Sequence, residues 1–276
     1  MTISRFFVAL PRWLVLLLWT AIVLLPLYVL VVSCLKTTQE IYAAPLGLPA
    51  RFTLDNFFSA WERAHLGRNL VNSFVVTAGA VVITLVVSAM AAYPLSRFNL
   101  RWGTSMLALF LAGIMLPIRL ASVELFTLMK ALGLLDSLFG LMLVYASIRI
   151  PFAVFIFANF MRVLPRENEE AARIDGAGEL RILFSIIVPI VAPAVAIVAI
   201  FTTIAVWNDF FFPLILIFDN DLKTVPLAIT NFVGQFRTDW GMVFASLAIS
   251  LAPVTAMYLL LARQIREGAG TQGAVK

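Results

Sequence analysis

Charge is scarce in this chain. Asp, Glu, Lys and Arg make up 13% of its 276 residues, about half of the roughly 25% usual in soluble globular domains. Hydrophobic residues reach 62% and the mean hydropathy is +0.99. Too few charges remain to clothe a water-facing surface, so an ordinary soluble domain is excluded and lipid is expected around much of the chain. The single cysteine, Cys34, excludes an internal disulfide, and the single histidine, His65, excludes a histidine-rich metal site. No Gly-x-x-x-x-Gly-Lys-Ser/Thr stretch is present. The tail Gly268 to Gly273 has the glycine spacing, but Ala274 follows and no expected strand precedes it. Acids are missing from the apolar runs. That argues against an ion-coupled secondary transporter or a channel, and against a membrane-embedded enzyme with paired acids. The formal charge of +5 reads as a topology signal and not as a nucleic-acid footprint.

What is present is a series of long uncharged stretches, each close to the roughly 20 residues of helix that cross a bilayer. They lie at Trp13–Leu35, Asn69–Ser96, Trp102–Ile118, Ile182–Asn208 and Trp240–Ala262; a further one, Ser137–Met161, is interrupted by Arg149. The runs are continuous and do not alternate, which favours helices over a barrel. The expectation is an all-α membrane protein of six transmembrane helices in one domain over residues 1–276, with Pro117 ending the third. Pro189 and Pro193 are expected to kink the fifth. The first run is far longer than a removable signal core. Val31-Val32-Ser33-Cys34 has the look of a lipoprotein cleavage site, but five further spans make a lipid anchor pointless, so Cys34 is read as a small membrane cysteine.

Lys and Arg in the flanks set the orientation. The side holding both termini, Arg97, Arg101 and the stretch Arg162–Arg181 carries eleven cations against six acids; the other carries eight against nine. Both termini and that stretch are therefore read as cytoplasmic. Outside, Pro45, Gly47 and Pro49 break the start of the first long loop, and Thr53 is expected to cap a short helix whose Leu54, Phe57, Phe58 and Trp61 share one face. This helix is expected to lie along the membrane. In the second outer loop, Leu125, Met129 and Leu132 share a helical face, expected to be partly embedded. Arg119 and Lys130 are read as loop charges.

The most informative stretch is the polar insert between the fourth and fifth runs. Pro165 separates it from the preceding helix. Glu167, Glu169 and Glu170 suit a helix N-terminus, and Ala171 and Ala172 are strong helix formers whose small side chains permit close approach. Gly176 permits a sharp turn between two short helices. Two readings stay open from the spacing: an ordinary surface hairpin, or a helix that docks on a soluble partner.

The pattern Glu170-Ala171-Ala172, Gly176, Ile186, Pro189, with Val188 before the proline, resembles the cytoplasmic loop of binding-protein-dependent ABC importer permeases. Other residues resemble the carbohydrate, maltose-permease-like kind: Asn72-Ser73, Ala91-Ala92-Tyr93-Pro94-Leu95-Ser96-Arg97, Leu132-Gly133-Leu134-Leu135-Asp136-Ser137, Trp207-Asn208-Asp209 and Gly273-Ala274-Val275-Lys276. The resemblance covers nearly the whole chain. It departs after Pro117, where Ile118-Arg119-Leu120-Ala121-Ser122-Val123-Glu124 lacks a second proline. What the resemblance implies is a type I importer permease in the bacterial or archaeal cytoplasmic membrane, moving a sugar or oligosaccharide inward. The alternative solute is a sugar phosphate or polyol phosphate. It further implies a second homologous permease subunit, two cytoplasmic ATPase subunits carrying ATP and magnesium, and an extracytoplasmic solute-binding protein. Glu170, Ala171, Ala172, Asp175, Gly176 and Ala177 would form the ATPase-coupling helix and its turn. No catalytic residue and no metal ligand are implied in this chain.

Three further residues are candidates for the solute pathway. Arg149 falls mid-span, where a charge costs at least about 2.5–3.5 kcal/mol, and Pro151 frees a carbonyl nearby. It serves either as a donor to solute or as a structural partner of Asp209 or of another subunit. Asn208 and Asp209 either line the outer pathway or cap the end of the fifth span. Trp207 is either an interfacial anchor or a stacking platform.

Overall fold

The computed structural model describes residues 3–234 and 238–272, with side chains described over 12–234 and 238–256. Apart from an isolated bridge between Val233 and Thr238, every regular element among them is helical. The match at Gly273–Lys276 lies outside the described residues.

One unit comprises residues 1–67 and 228–252. Helix α1 spans Ile3–Ser33; its stretch Trp13–Ser33 carries no charged residue and is largely exposed within the chain. Helix α2, Thr38–Ala43, opens with a capping box: Thr37 Oγ accepts from Glu40 N, and the Glu40 carboxylate accepts from Thr37 N. Buried Lys36 donates to Ala44 O at 2.9 Å, and Asn56 donates to Cys34 O and Lys36 O, which staples this loop. Helix α3, Asp55–Arg63, has Leu54 at its cap position, and Thr53 Oγ1 instead accepts from Asp55 N at 3.1 Å. Of its expected apolar face, Leu54, Phe58 and Trp61 are exposed and Phe57 is half-buried.

The other unit comprises residues 68–227 and 253–276. Its elements are α4 (Leu66–Arg97), α5 (Gly103–Met115), α6 (Ser122–Ala131), α7 (Leu138–Val163), α8 (Glu167–Ile174), α9 (Glu179–Ile182) and α10 (Val188–Ile190). They are followed by α11 (Ala192–Trp207), α12 (Phe211–Leu216) and α13 (Val225–Ile229); α14, Trp240–Gln272, begins in the first unit and ends in this one. Helix α7 is the axis against which α5, α11 and α12 pack. Lipid offers no hydrophobic drive for helices to associate, so close approach of backbones has to supply the contact. The residues at these crossings are accordingly small: Ala92, Ala153, Ala158 and Ala194 are almost completely buried. Larger side chains such as Phe157, Met161, Ile182 and Ile187 fill the space between. A second cluster joins α4, α6, α7 and α12 through Val76, Met129, Leu141, Tyr145, Phe212 and Leu216.

Three described helices are long and apolar enough to cross a bilayer unaided: Arg12–Ser33, Leu66–Arg97 and Leu138–Val163. Two bent pairs extend that to as many as five, and the described apolar part of α14, Trp240–Ala256, is shorter. The bends follow from proline chemistry. Leu116, ahead of Pro117, is extended (φ −72°, ψ 125°), as a pre-proline residue prefers. Helix α5 therefore ends after 13 residues, about 20 Å of rise, and α6 leaves at 80°. In the fifth apolar run, a π-helical stretch spans Leu183–Ile187 and the chain bends by 82° around Val191. Pro193 lacks the N–H that a continuous helix would need, and it falls in the first turn of α11, where that donor is not required.

Candidate functional site

The polar insert forms α8, and its two faces differ. Leu164 is extended ahead of Pro165 (φ −73°, ψ 138°) and stops α7. The acids Glu167, Glu169 and Glu170 occupy the first turn of α8 and Arg173 the last, which suits the helix dipole at both ends. Gly176 ends the helix with φ +81°. Its N–H bonds to Arg173 O at 3.0 Å, and the Ala177 N–H bonds to Ala172 O at 2.9 Å. This pair of bonds is the Schellman closure, which needs a left-handed residue in the position Gly176 holds. The spacing from Ala172 to Gly176 is therefore set by backbone hydrogen bonding. The same motif brings Ala172 and Ala177 together, and both pack on the buried cluster of α4, α7 and α9.

Of the six residues expected in the coupling helix and its turn, Glu170, Ala171, Asp175 and Gly176 are exposed, while Ala172 and Ala177 face inward. Ile174 is 87% exposed beside them, and Val163 and Leu180 are also exposed, an unusual display of large apolar side chains on a polar loop. Beneath lies a polar network that sequence reasoning missed. Glu169 is buried, with Oε1 2.6 Å from Arg97 Nη2 at the end of α4. Arg97 Nη1 also donates to Leu164 O at 3.0 Å. Arg173 lies 3.7 Å from Glu169 and donates to Glu179 at 2.8 Å. The Tyr93 hydroxyl donates to Glu179 at 2.7 Å and accepts from Arg173 at 3.2 Å. Hydrogen bonding to Glu179 raises the Arg173 pKa, so this residue stays cationic. Removing one member of a buried pair such as Arg97–Glu169 costs roughly 3–5 kcal/mol. The spacing of Glu169 and Arg173 was the one local signal for this network.

The second candidate cluster surrounds Asp209. Its carboxylate accepts from Tyr145 at 3.0 Å and from Phe212 N at 3.0 Å, and Arg119 lies 3.3 Å away. Arg119 also sits over the Phe211 ring, 5.3 Å from its centroid; it is more than the loop charge expected of it. Arg149 is half-buried and its Nε has no hydrogen-bond partner. Among the described residues no carboxylate lies within 4.0 Å of its guanidinium. Asp209 thus pairs with Arg119, and Arg149 stands apart from it. Asn208 is exposed and spends its amide on Ile204 O, within its own helix. Trp207 is buried and lines a cavity of about 360 Å³ with Phe74, Thr77 and Thr203.

The sequence over residues 84–267 matches the family described as "Binding-protein-dependent transport system inner membrane component". The chain is 34% identical over 95% of its length to the diacetylchitobiose uptake system permease protein NgcG of Streptomyces coelicolor, covering 87% of that protein. It is 29% identical over 91% of its length to the melibiose/raffinose/stachyose import permease protein MelC of Bacillus subtilis, covering 91% of it. In fold it is similar to a chain of a bacterial ABC transporter involved in the import of the acidic polysaccharide alginate. The TM-score is 0.83 at 20% identity, covering 95% of this chain and 98% of that one. The chain belongs to the binding-protein-dependent transport system inner membrane component family. It is a multi-pass inner-membrane permease subunit of an ABC transporter, and its relatives are transporter subunits and not enzymes.

Proposed function

We propose that this chain is one of two homologous permease subunits of an ATP-driven importer that carries a sugar or oligosaccharide into the cytoplasm. The chain crosses the membrane six times, and the bias of Lys and Arg supports a cytoplasmic side for both termini and α8. Two ATPase subunits bind ATP and magnesium, and α8 docks on one of them. An extracytoplasmic binding protein delivers the solute. The observation that carries this reading is the split character of α8. Glu170, Ala171, Ile174 and Asp175 are bare, while Glu169, Ala172 and Ala177 hold the helix in place. The saccharides named for NgcG and MelC support the solute class. In the test, the tagged chain is purified with its partners from a Cys34→Ser background carrying Glu170→Cys. A homologous permease and an ATPase should copurify, and the new thiol should form a disulfide with cysteines placed in the ATPase cleft. Absence of that cross-link in an intact complex would sink the docking assignment.

The Asp209 cluster favours a second reading of the solute. Arg149 is half-buried in α7 and its guanidinium has no carboxylate at ion-pair distance among the described residues, and a cation held among apolar helices calls for an anion. An anionic saccharide, such as a sugar phosphate, a polyol phosphate or an acidic sugar, would supply it. Competition of labelled uptake by neutral and acidic sugars of equal size separates the two readings.

A further inference from the structure

Adjacent glutamates in α8 have opposite environments. Glu170 is exposed; Glu169 is 1% exposed and meets Arg97. Of the ion pairs among the described residues, only Arg97–Glu169 has both side chains buried, at 3% and 1% exposure. We infer that this pair fixes the register of α8 on the cytoplasmic end of α4, so that Arg97 and Glu169 are positioning residues for energy coupling. The inference rests on the docking reading above.

Stability alone does not explain the pair. Two well-packed apolar side chains commonly serve as well as a buried ion pair or better. What apolar side chains do not supply is direction. Helix α8 has eight residues, and its inward apolar contacts come from the methyl groups of Ala172 and of Ala177 behind it. Methyl groups alone leave a short helix free to slide or roll on its base. The guanidinium of Arg97 removes that freedom. It holds Glu169 with one nitrogen and Leu164 O, at the end of α7, with another. The ends of α4 and α7 and the docking helix therefore meet at one side chain. Arg173 continues the brace to Glu179 and Tyr93, returning it to α4 one turn earlier. A force applied to the exposed face of α8 thus reaches α4 through one close, buried ion pair.

The test uses the whole importer, in a Cys34→Ser background, with MgATP and vanadate as the probe. A thiol is placed near the outer end of α4 by Val71→Cys, an exposed position, and its rate of reaction with a small maleimide is measured with and without the probe. A parallel sample carries Glu170→Cys and reports docking on the ATPase. With the native pair, the labelling rate at the outer end of α4 should respond to trapping. With Arg97→Met/Glu169→Met, the complex should assemble and still cross-link, but the response should shrink about tenfold, within the range that residues on a coupling route command. A full response in the double variant overturns the inference, and so does no response with the native pair. Failure of the double variant to assemble overturns it as well, because the pair would then be a folding contact. Loss of the cross-link with the native pair would instead remove the docking reading, and this inference with it.

Discussion

Gly176 and Gly178 are two residues apart in the same turn, and both have open space where a side chain would go. They differ in backbone alone. Gly176 has φ +81°, while Gly178 has φ −73° and ψ 157°, which any residue adopts. Alanine at 176 therefore meets no clash but carries the left-handed penalty of about 1–2 kcal/mol. Alanine at 178 is expected within about 0.5 kcal/mol of native. The penalty at 176 lowers the population of the closed turn roughly 5- to 30-fold relative to open alternatives. If the turn must be closed for α8 to dock, the apparent affinity of the permease pair for its ATPase falls by up to the same factor. Asparagine, which tolerates left-handed backbone better, should fall between. ATPase titration onto permease in nanodiscs, followed by fluorescence, reads the order directly: native and Gly178→Ala together, Gly176→Asn weaker, Gly176→Ala weakest. If Gly176→Ala and Gly178→Ala bind alike, the closure has no part in docking and the reasoning is wrong.

Two other outcomes are expected. Arg149→Met should leave complex yield unchanged, because no described carboxylate within 4.0 Å loses an ion-pair partner, and should reduce uptake at least several-fold; normal uptake with normal yield would remove Arg149 from the pathway. In a Cys34→Ser background, Leu48→Cys should react with an impermeant maleimide in intact spheroplasts and Gly178→Cys only after lysis; labelling of Gly178→Cys from outside would invert the proposed orientation.

Much of the architecture is written in local chemistry. Apolar runs are legible because lipid tolerates nothing else, and Pro117, Pro189 and Pro193 mark the breaks because each removes a backbone donor. The angles of those breaks, 80° and 82°, are not local: they depend on what α6 and α11 pack against. The capping box of Thr37 and Glu40 was readable from spacing and went unread, whereas Thr53, chosen as a cap, serves one residue too early. In α8, the helix, the turn and the role of Gly176 were legible. The difference between Glu169 and Glu170 was not. Neighbours on a helix point about 100° apart, and which one turns inward is decided by Arg97, far away in sequence, and by where Ala172 and Ala177 find the core. Arg119 was misjudged for a similar reason: its partners Asp209 and Phe211 come from a distant segment.

The inward and outward glutamates of α8 also divide what the permease can change independently. If α8 docks as proposed, Glu170, Ala171, Ile174 and Asp175 answer to another polypeptide, and substitutions there would retune which ATPase the permease accepts. Glu169 answers to Arg97 within the same chain and is out of that partner's reach. On the proposed docking, such a permease would be transferred to a foreign ATPase by resurfacing the outer face of α8, with the parts that hold the helix to the membrane helices left untouched.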